Sequence, residues 1–115
     1  MNACRFEWLT GRDAAALSSL HRQCFSSFWT EEDFSRLLHV GAAGLGALGE
    51  ASAEEGLQGF VVWQQAADTA DILTLAVAPA FQRQGIGGRL LRMGLAGLQA
   101  SGVKTVYLET REGAT

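Results

Sequence analysis

The chain has 115 residues, a formal net charge of −3, 48% hydrophobic and 18% charged residues, the profile of a single globular domain over 1–115 rather than a disordered segment. No apolar run approaches the about 20 residues of a transmembrane helix, the first residues lack a secretory-signal layout, and the acidic balance argues against nucleic-acid binding. Two cysteines, Cys4 and Cys24, make no disulfide framework, no Cys/His spacing suggests a metal, and a cytoplasmic protein is expected.

Residues 4–9 alternate weakly and predict a short first strand. A helix follows over 13–25, with Ala14, Leu17, Leu20, Cys24 and Phe28 on or near one face. Thr30, followed by Glu31, Glu32 and Asp33, predicts the cap of a second helix whose buried stripe is Phe34, Leu37 and Leu38. The glycines of 41–49 predict a weak strand entered through a mobile loop. After a turn at 51–56, residues 57–64 place Leu57, Val61 and Trp63 on one face and Phe60 and Val62 on the other, a strand covered on both sides. Residues 70–77 repeat that pattern, and the polar link between them predicts an antiparallel hairpin. A helix from about 86 to 101, with Leu91, Leu95 and Leu98 as its core face, stops at Gly102. Its internal glycines, Gly94 and Gly97, predict close packing on the sheet. Residues 103–110 form the last strand. The order predicts a mixed α/β layer structure with helices on both sides of the sheet.

Residues 72–91, ILTLAVAPAFQRQGIGGRLL, carry the most chemistry. An apolar strand passes through Pro79 into a glycine turn that opens a helix. That order aims backbone N–H groups and the positive end of a helix dipole at one point, which suits a phosphate-type anion. From Pro79 to Lys104 there is no Asp or Glu, while Arg83, Arg89, Arg92 and Lys104 fall in the same stretch. An acidic chain with one basic island of this kind fits a polyanionic cofactor. A Walker-type loop needs Lys-Ser/Thr after its last glycine, where this chain has Gly88-Arg89-Leu90. A dinucleotide loop would take Glu109 as its acidic partner, but the preceding strand pairs as a hairpin and Gln82-Arg83-Gln84 has no part in it.

The spacing Gln82-x-x-Gly85-x-Gly87 after that strand resembles the acetyl-CoA pyrophosphate loop of the GNAT acetyltransferase superfamily. Phe28-Trp29-Thr30 with Phe34, residues 75–91, and Tyr107-Leu108-Glu109-Thr110-Arg111 resemble, in that order, the bacterial ribosomal-protein-alanine N-acetyltransferases. The resemblance implies the GNAT fold and acetyl transfer from acetyl-CoA to an amine, that of a protein N-terminus. It assigns the CoA pyrophosphate to Gln82, Arg83, Gln84, Gly85, Ile86, Gly87 and Gly88, and the pantetheine arm to the edge of Leu75, Ala76 and Val77. It makes Glu109 the general base on the α-amine and gives Phe28 and Trp29 the walls of the peptide groove, with no metal. A small-molecule amine acceptor and a non-catalytic CoA-binding module are the rival readings. Phe28 and Trp29 as core residues, His21 and His39 as plain polar residues, and Cys24 as an inert buried thiol are the structural alternatives.

Members of that family continue through a further helix and two strands, which carry an asparagine that contacts CoA and the tyrosine general acid. The resemblance therefore implies a C-terminally truncated domain, with Ala114 about where the asparagine is expected. Its last strand would present an open apolar edge at Val106 and Leu108, through which two copies are expected to pair as a homodimer.

Overall fold

The computed structural model of the protein describes residues 4–49 and 56–108. The expected turn at 51–56 lies almost wholly outside these residues, as do Glu109, Thr110, Arg111 and Ala114. One five-stranded sheet runs in the order β1-β2-β3-β4-β5. The strands are β1 (Cys4–Trp8), β2 (Ala43–Gly49), β3 (Leu57–Ala66), β4 (Thr69–Val77) and β5 (Thr105–Leu108). Neighbours pair antiparallel except β4 and β5, which run parallel and so need a crossover. Helix α3 (Ile86–Ala100) is that crossover. Helices α1 (Ala14–Cys24) and α2 (Glu31–His39) cover the opposite face.

The sheet thus separates two cores. On the α3 side lie Leu45, Ala47, Val61, Trp63, Ile72, Ile86, Leu90 and Leu98. On the α1/α2 side lie Leu17, Leu20, Phe34, Phe60, Val62 and Ala76. The expected alternation of β3 holds for Val61 and Trp63 against Phe60 and Val62. Leu57 differs, because it packs on the α1/α2 side with Phe60. Ala47 pairs with Gly59 but Leu48 with Leu57, so Gln58 is an extra residue that reverses the facing of Leu57.

The predicted hairpin forms, and its strands extend until only Ala67 and Asp68 remain between them. The first helix ends at Cys24, which leaves Phe28 in the following loop at 38% exposure rather than on the buried stripe. Thr30 caps α2 as expected: its hydroxyl accepts from the Asp33 N–H at 3.1 Å, and the Asp33 carboxylate accepts from the Thr30 N–H at 2.9 Å. Those bonds hold the Asp33 carboxyl below its ordinary range. The box stabilises the helix above that range and loses its effect as the pH falls and the carboxylate is protonated.

Helix α3 corrects the predicted core face. The buried stripe is Ile86, Leu90, Gly94 and Leu98 at intervals of four, while Leu91 is half-buried and Leu95 exposed. Trp63 sets this roll, since a Cβ on Gly94 would stand 3.0 Å from its Cζ3. Gly94 therefore marks the contact face, whereas a Cβ at Gly97 would meet Trp8 at an ordinary 3.6 Å.

The glycine-rich 41–49 stretch is a fully paired strand from 43 onward. Its glycines make room for neighbours: a Cβ on Gly44 would drive into the Val61 carbonyl oxygen and stand 2.9 Å from Leu9 Cδ1. Gly44→Ala should therefore destabilise the fold by about 1–3 kcal/mol in urea unfolding, and Thr30→Ala by about 1 kcal/mol.

Candidate functional site

The site is built where β4 and β5 part. β5 pairs with β4 only over Thr69–Ile72, while β3 pairs with β4 through Val77. Among the described residues no strand covers the β5-side edge of 73–77. The facing of its backbone follows from the ladder. The Ala78 N–H donates to the Gln58 carbonyl at 2.8 Å, and Gly59 lies opposite Val77. Antiparallel residues alternate between bonding inward and outward, so Thr74 and Ala76 bond to β3 and Leu75 and Val77 turn theirs to the open edge. Of the three residues expected to form a pairing edge, Leu75 and Val77 present their backbone groups there. Ala76 is turned away, with its side chain in the α1/α2 core.

The end of β4 is braced by side chains that meet at one atom. The Val77 carbonyl oxygen accepts from Gln82 Nε2 at 3.0 Å and from the Cys24 thiol at 3.3 Å. The first bond closes the loop back onto the strand, and the second ties the end of α1 to it. The Gln82 side chain is thus engaged within the loop itself. Cys24 is half-buried, and burial pushes its thiol above the ordinary range. At neutral pH it stays a protonated donor.

Past the 3-10 turn Pro79–Phe81, the loop reaches α3 through two left-handed residues, Arg83 at φ 69° and Gly85 at φ 83°. Such a conformation suits glycine, and at Arg83 it costs about 1–2 kcal/mol. Gly85 is the N-cap of α3 and has no side chain with which to cap it. The Arg89 N–H is the first to find its helical partner, the Gly85 carbonyl at 3.1 Å. The amides of Ile86, Gly87 and Gly88 thus belong to the first turn, whose N–H groups have no acceptor within the helix. Gly87 joins the two halves of the site. A Cβ there would stand 3.4 Å from Val77 Cγ2 and 3.9 Å from Leu75 Cδ2. The strand edge and the helix N-terminus are adjacent, and the fold itself has room for a methyl group at that point.

The predicted basic island divides. Arg83 lies in the loop, and Arg92 folds back so that its Nη1 would be 3.3 Å from a Cβ on Gly88. Arg89 instead stacks over the Phe6 ring at 4.6 Å, on the β1 side. Lys104 follows the far end of the 15-residue α3, a helix about 22 Å long, and is no part of the loop. Gln84 is exposed beside Arg83, and Ile86 points into the α3 core.

Phe28 and Trp29 occupy the loop between α1 and α2. Phe28 is exposed, with the Arg22 guanidinium 4.9 Å from its ring centre. Trp29 is half-buried against Phe34 at 5.4 Å and stacks on His21 at 5.1 Å. His21 and Ser18, unassigned from sequence, both bond to its backbone. Their signal was present: two polar residues three apart within the apolar stripe of α1. Among the described residues no three His, Cys, Asp or Glu cluster as a metal site, and no helix is long and apolar enough to cross a membrane.

An open strand edge running into a glycine-capped helix is the ligand-binding arrangement of an acyl-CoA-dependent transferase fold. Residues 14–115 match the acetyltransferase (GNAT) family, and the chain belongs to it. It is 30% identical over 108 residues to the ribosomal protein bS18-alanine N-acetyltransferase of Salmonella typhimurium, covering 90% of this chain and 67% of that one. With the same enzyme of Haemophilus ducreyi it shares 39% identity over 62 residues, or 54% of this chain and 43% of the relative. The matched part thus spans from under half to about two thirds of these relatives. The crystal structure of the ribosomal-protein-S18-alanine N-acetyltransferase from Escherichia coli superimposes with a TM-score of 0.85 at 25% identity, over 95% of this chain and 68% of that one.

Two outcomes follow from this geometry. Gly87→Ala should leave stability within about 0.5 kcal/mol, because a methyl group there meets the fold only at ordinary contact distance; a CoA molecule received at this junction should bind the variant about tenfold more weakly by calorimetry. Cys24 should react with iodoacetamide at pH 8 more slowly than an unfolded thiol and reach that rate on denaturation, since the thiolate is the reactive form.

Proposed function

We propose that this chain transfers the acetyl group of acetyl-CoA to the α-amine of a protein N-terminus, such as that of a ribosomal protein. The observation that carries the reading is the outward-facing Leu75 and Val77 backbone beside the uncapped first turn of α3. The strand edge offers the Leu75 N–H and C=O and the Val77 N–H to an amide-bearing arm, as a sheet edge offers such groups to a peptide. The helix start, with Arg83 and Arg92 beside it, suits a pyrophosphate. Gly87, which the fold does not require to be glycine, leaves the space at their junction open to the ligand.

Acetyl-CoA supplies an activated thioester. The chain's own groups hold it and shape the acceptor. An outward N–H of β4 beside the thioester carbonyl stabilises the oxyanion that forms as the amine adds. The amine must first lose a proton, because the ammonium form has no lone pair to attack with. Glu109 takes that proton in this reading, as the residue that follows β5. A C–N bond then forms, the C–S bond breaks, and the CoA thiolate leaves, its charge balanced by the second proton that the nitrogen sheds as it becomes an amide. Phe28 and Trp29 wall the acceptor side. The Salmonella and Escherichia relatives favour a protein acceptor over a small amine.

Incubation with acetyl-CoA and N-terminal peptides, read by intact mass, tests the reading. An Ala-starting peptide should gain one acetyl group, and Glu109→Gln should lower kcat/KM about a hundredfold or more. Equal or faster acetylation of small amines would move the acceptor class, and CoA binding without transfer to any amine would contradict the reading.

A further inference from the structure

Helix α1 turns two polar side chains into the core that the proposed chemistry leaves unused. Ser18 and His21, one helical turn apart, are only 6% and 4% exposed. Both reach the backbone of one residue. The Ser18 hydroxyl donates to the Trp29 carbonyl oxygen at 2.8 Å, and the Trp29 N–H donates to His21 Nδ1 at 3.0 Å. Accepting that bond makes Nδ1 the unprotonated ring nitrogen. The imidazole also lies against the Trp29 indole, with planes 20° apart and centroids 5.1 Å apart. Phe25 at 4.5 Å, Phe34 at 5.5 Å and Phe60 at 6.3 Å also lie against it. Trp29 is therefore held at its donor, its acceptor and its ring, while the adjoining Phe28 stays exposed.

Packing alone would be met by apolar residues at 18 and 21. Burying a hydroxyl and an imidazole is useful where one segment must keep one conformation, because each then bonds well in a single arrangement. The segment so fixed carries both residues that wall the acceptor side in the reading above. We infer that Ser18 and His21 are positioning residues that clamp Trp29, and through it the Phe28–Trp29 wall, in the conformation that receives the acceptor. This rests on the acetyltransferase reading. Each residue acts through Trp29 rather than by touching the acceptor.

The test compares the full chain with Ser18→Ala, His21→Phe and His21→Asn, using acetyl-CoA and an Ala-starting peptide. Ser18→Ala removes one oxygen atom, His21→Phe keeps a ring without an acceptor, and His21→Asn returns an acceptor near the place of Nδ1. The first two should raise the peptide KM about tenfold, with kcat and the acetyl-CoA KM within about twofold, the pattern of lost acceptor binding. His21→Asn should recover part of that loss. Hydrogen exchange at the Trp29 amide should quicken in His21→Phe and return toward the parent rate in His21→Asn. An unchanged peptide KM in both Ser18→Ala and His21→Phe, or an equal rise in the acetyl-CoA KM, overturns the clamp. Unchanged Trp29 exchange in His21→Phe overturns it without reference to turnover. No transfer by the parent chain to any amine overturns the acetyltransferase reading instead, and the acceptor role with it.

Discussion

β4 is hydrogen-bonded to β3 along most of its length but to β5 only as far as Ile72, and this unequal pairing creates the site. A strand paired on both edges has no backbone group left for a ligand. Here the two strands share a parallel start and then separate, so that the N–H and C=O of Leu75 and the N–H of Val77 face outward at the middle of the domain rather than at its rim, while the Val77 C=O is held by Gln82 and Cys24. Parallel pairing also obliges the chain to cross over through a helix. The crossover brings the first turn of α3 to the same place, since the helix must begin where β4 ends. Strand edge and helix start are two consequences of one topology.

The parting has to be held, and the bracing comes from side chains outside the sheet. Gln82 and Cys24 both bond to the Val77 carbonyl, one from the loop and one from α1. On the other flank, Ser18 and His21 on the same helix fix Trp29. Ser18, His21 and Cys24 recur every three residues, so a single face of α1 contacts both the end of β4 and Trp29 of the proposed acceptor wall. The helix thereby sets the distance between them, which the proposed transfer would require. Trp63 plays the matching part on the other side of the sheet, fixing the roll of α3 through its contact with Gly94.

Much of this was legible in the residues. Local signals were reliable where one residue type has one physical reason to be present. Thr30 before three acids gave the cap of α2, and Gln82-x-x-Gly85-x-Gly87 after an apolar strand gave the loop. Glycine misled where its reason was packing. The 41–49 strand read as weak because the partners that need its missing side chains, Leu9 and the Val61 carbonyl, are distant in sequence. The face of α3 differs from the expected Leu91, Leu95 and Leu98 stripe because hydrophobicity alone does not reveal that Gly94, expected to pack closely, meets Trp63, a partner distant in sequence. Ladder parity was also hidden: nothing in Leu75-Ala76-Val77 says that the middle residue bonds to β3, because register is set by pairing. The long-range bonds of Ser18, His21 and Cys24 could be suspected from their place on an apolar stripe, though their partners could not be named.

The central claim is that coenzyme A lies along the outward edge of β4 and against the first turn of α3. An amide-resolved NMR titration of the chain with CoA tests it most directly. The largest shifts should fall on Leu75 and Val77 and on residues 85–88, with Thr74 and Ala76 moving less because their N–H groups already bond to β3. Shifts of equal size on Thr74 and Ala76, or a response centred on residues away from β4 and the start of α3, would contradict the account.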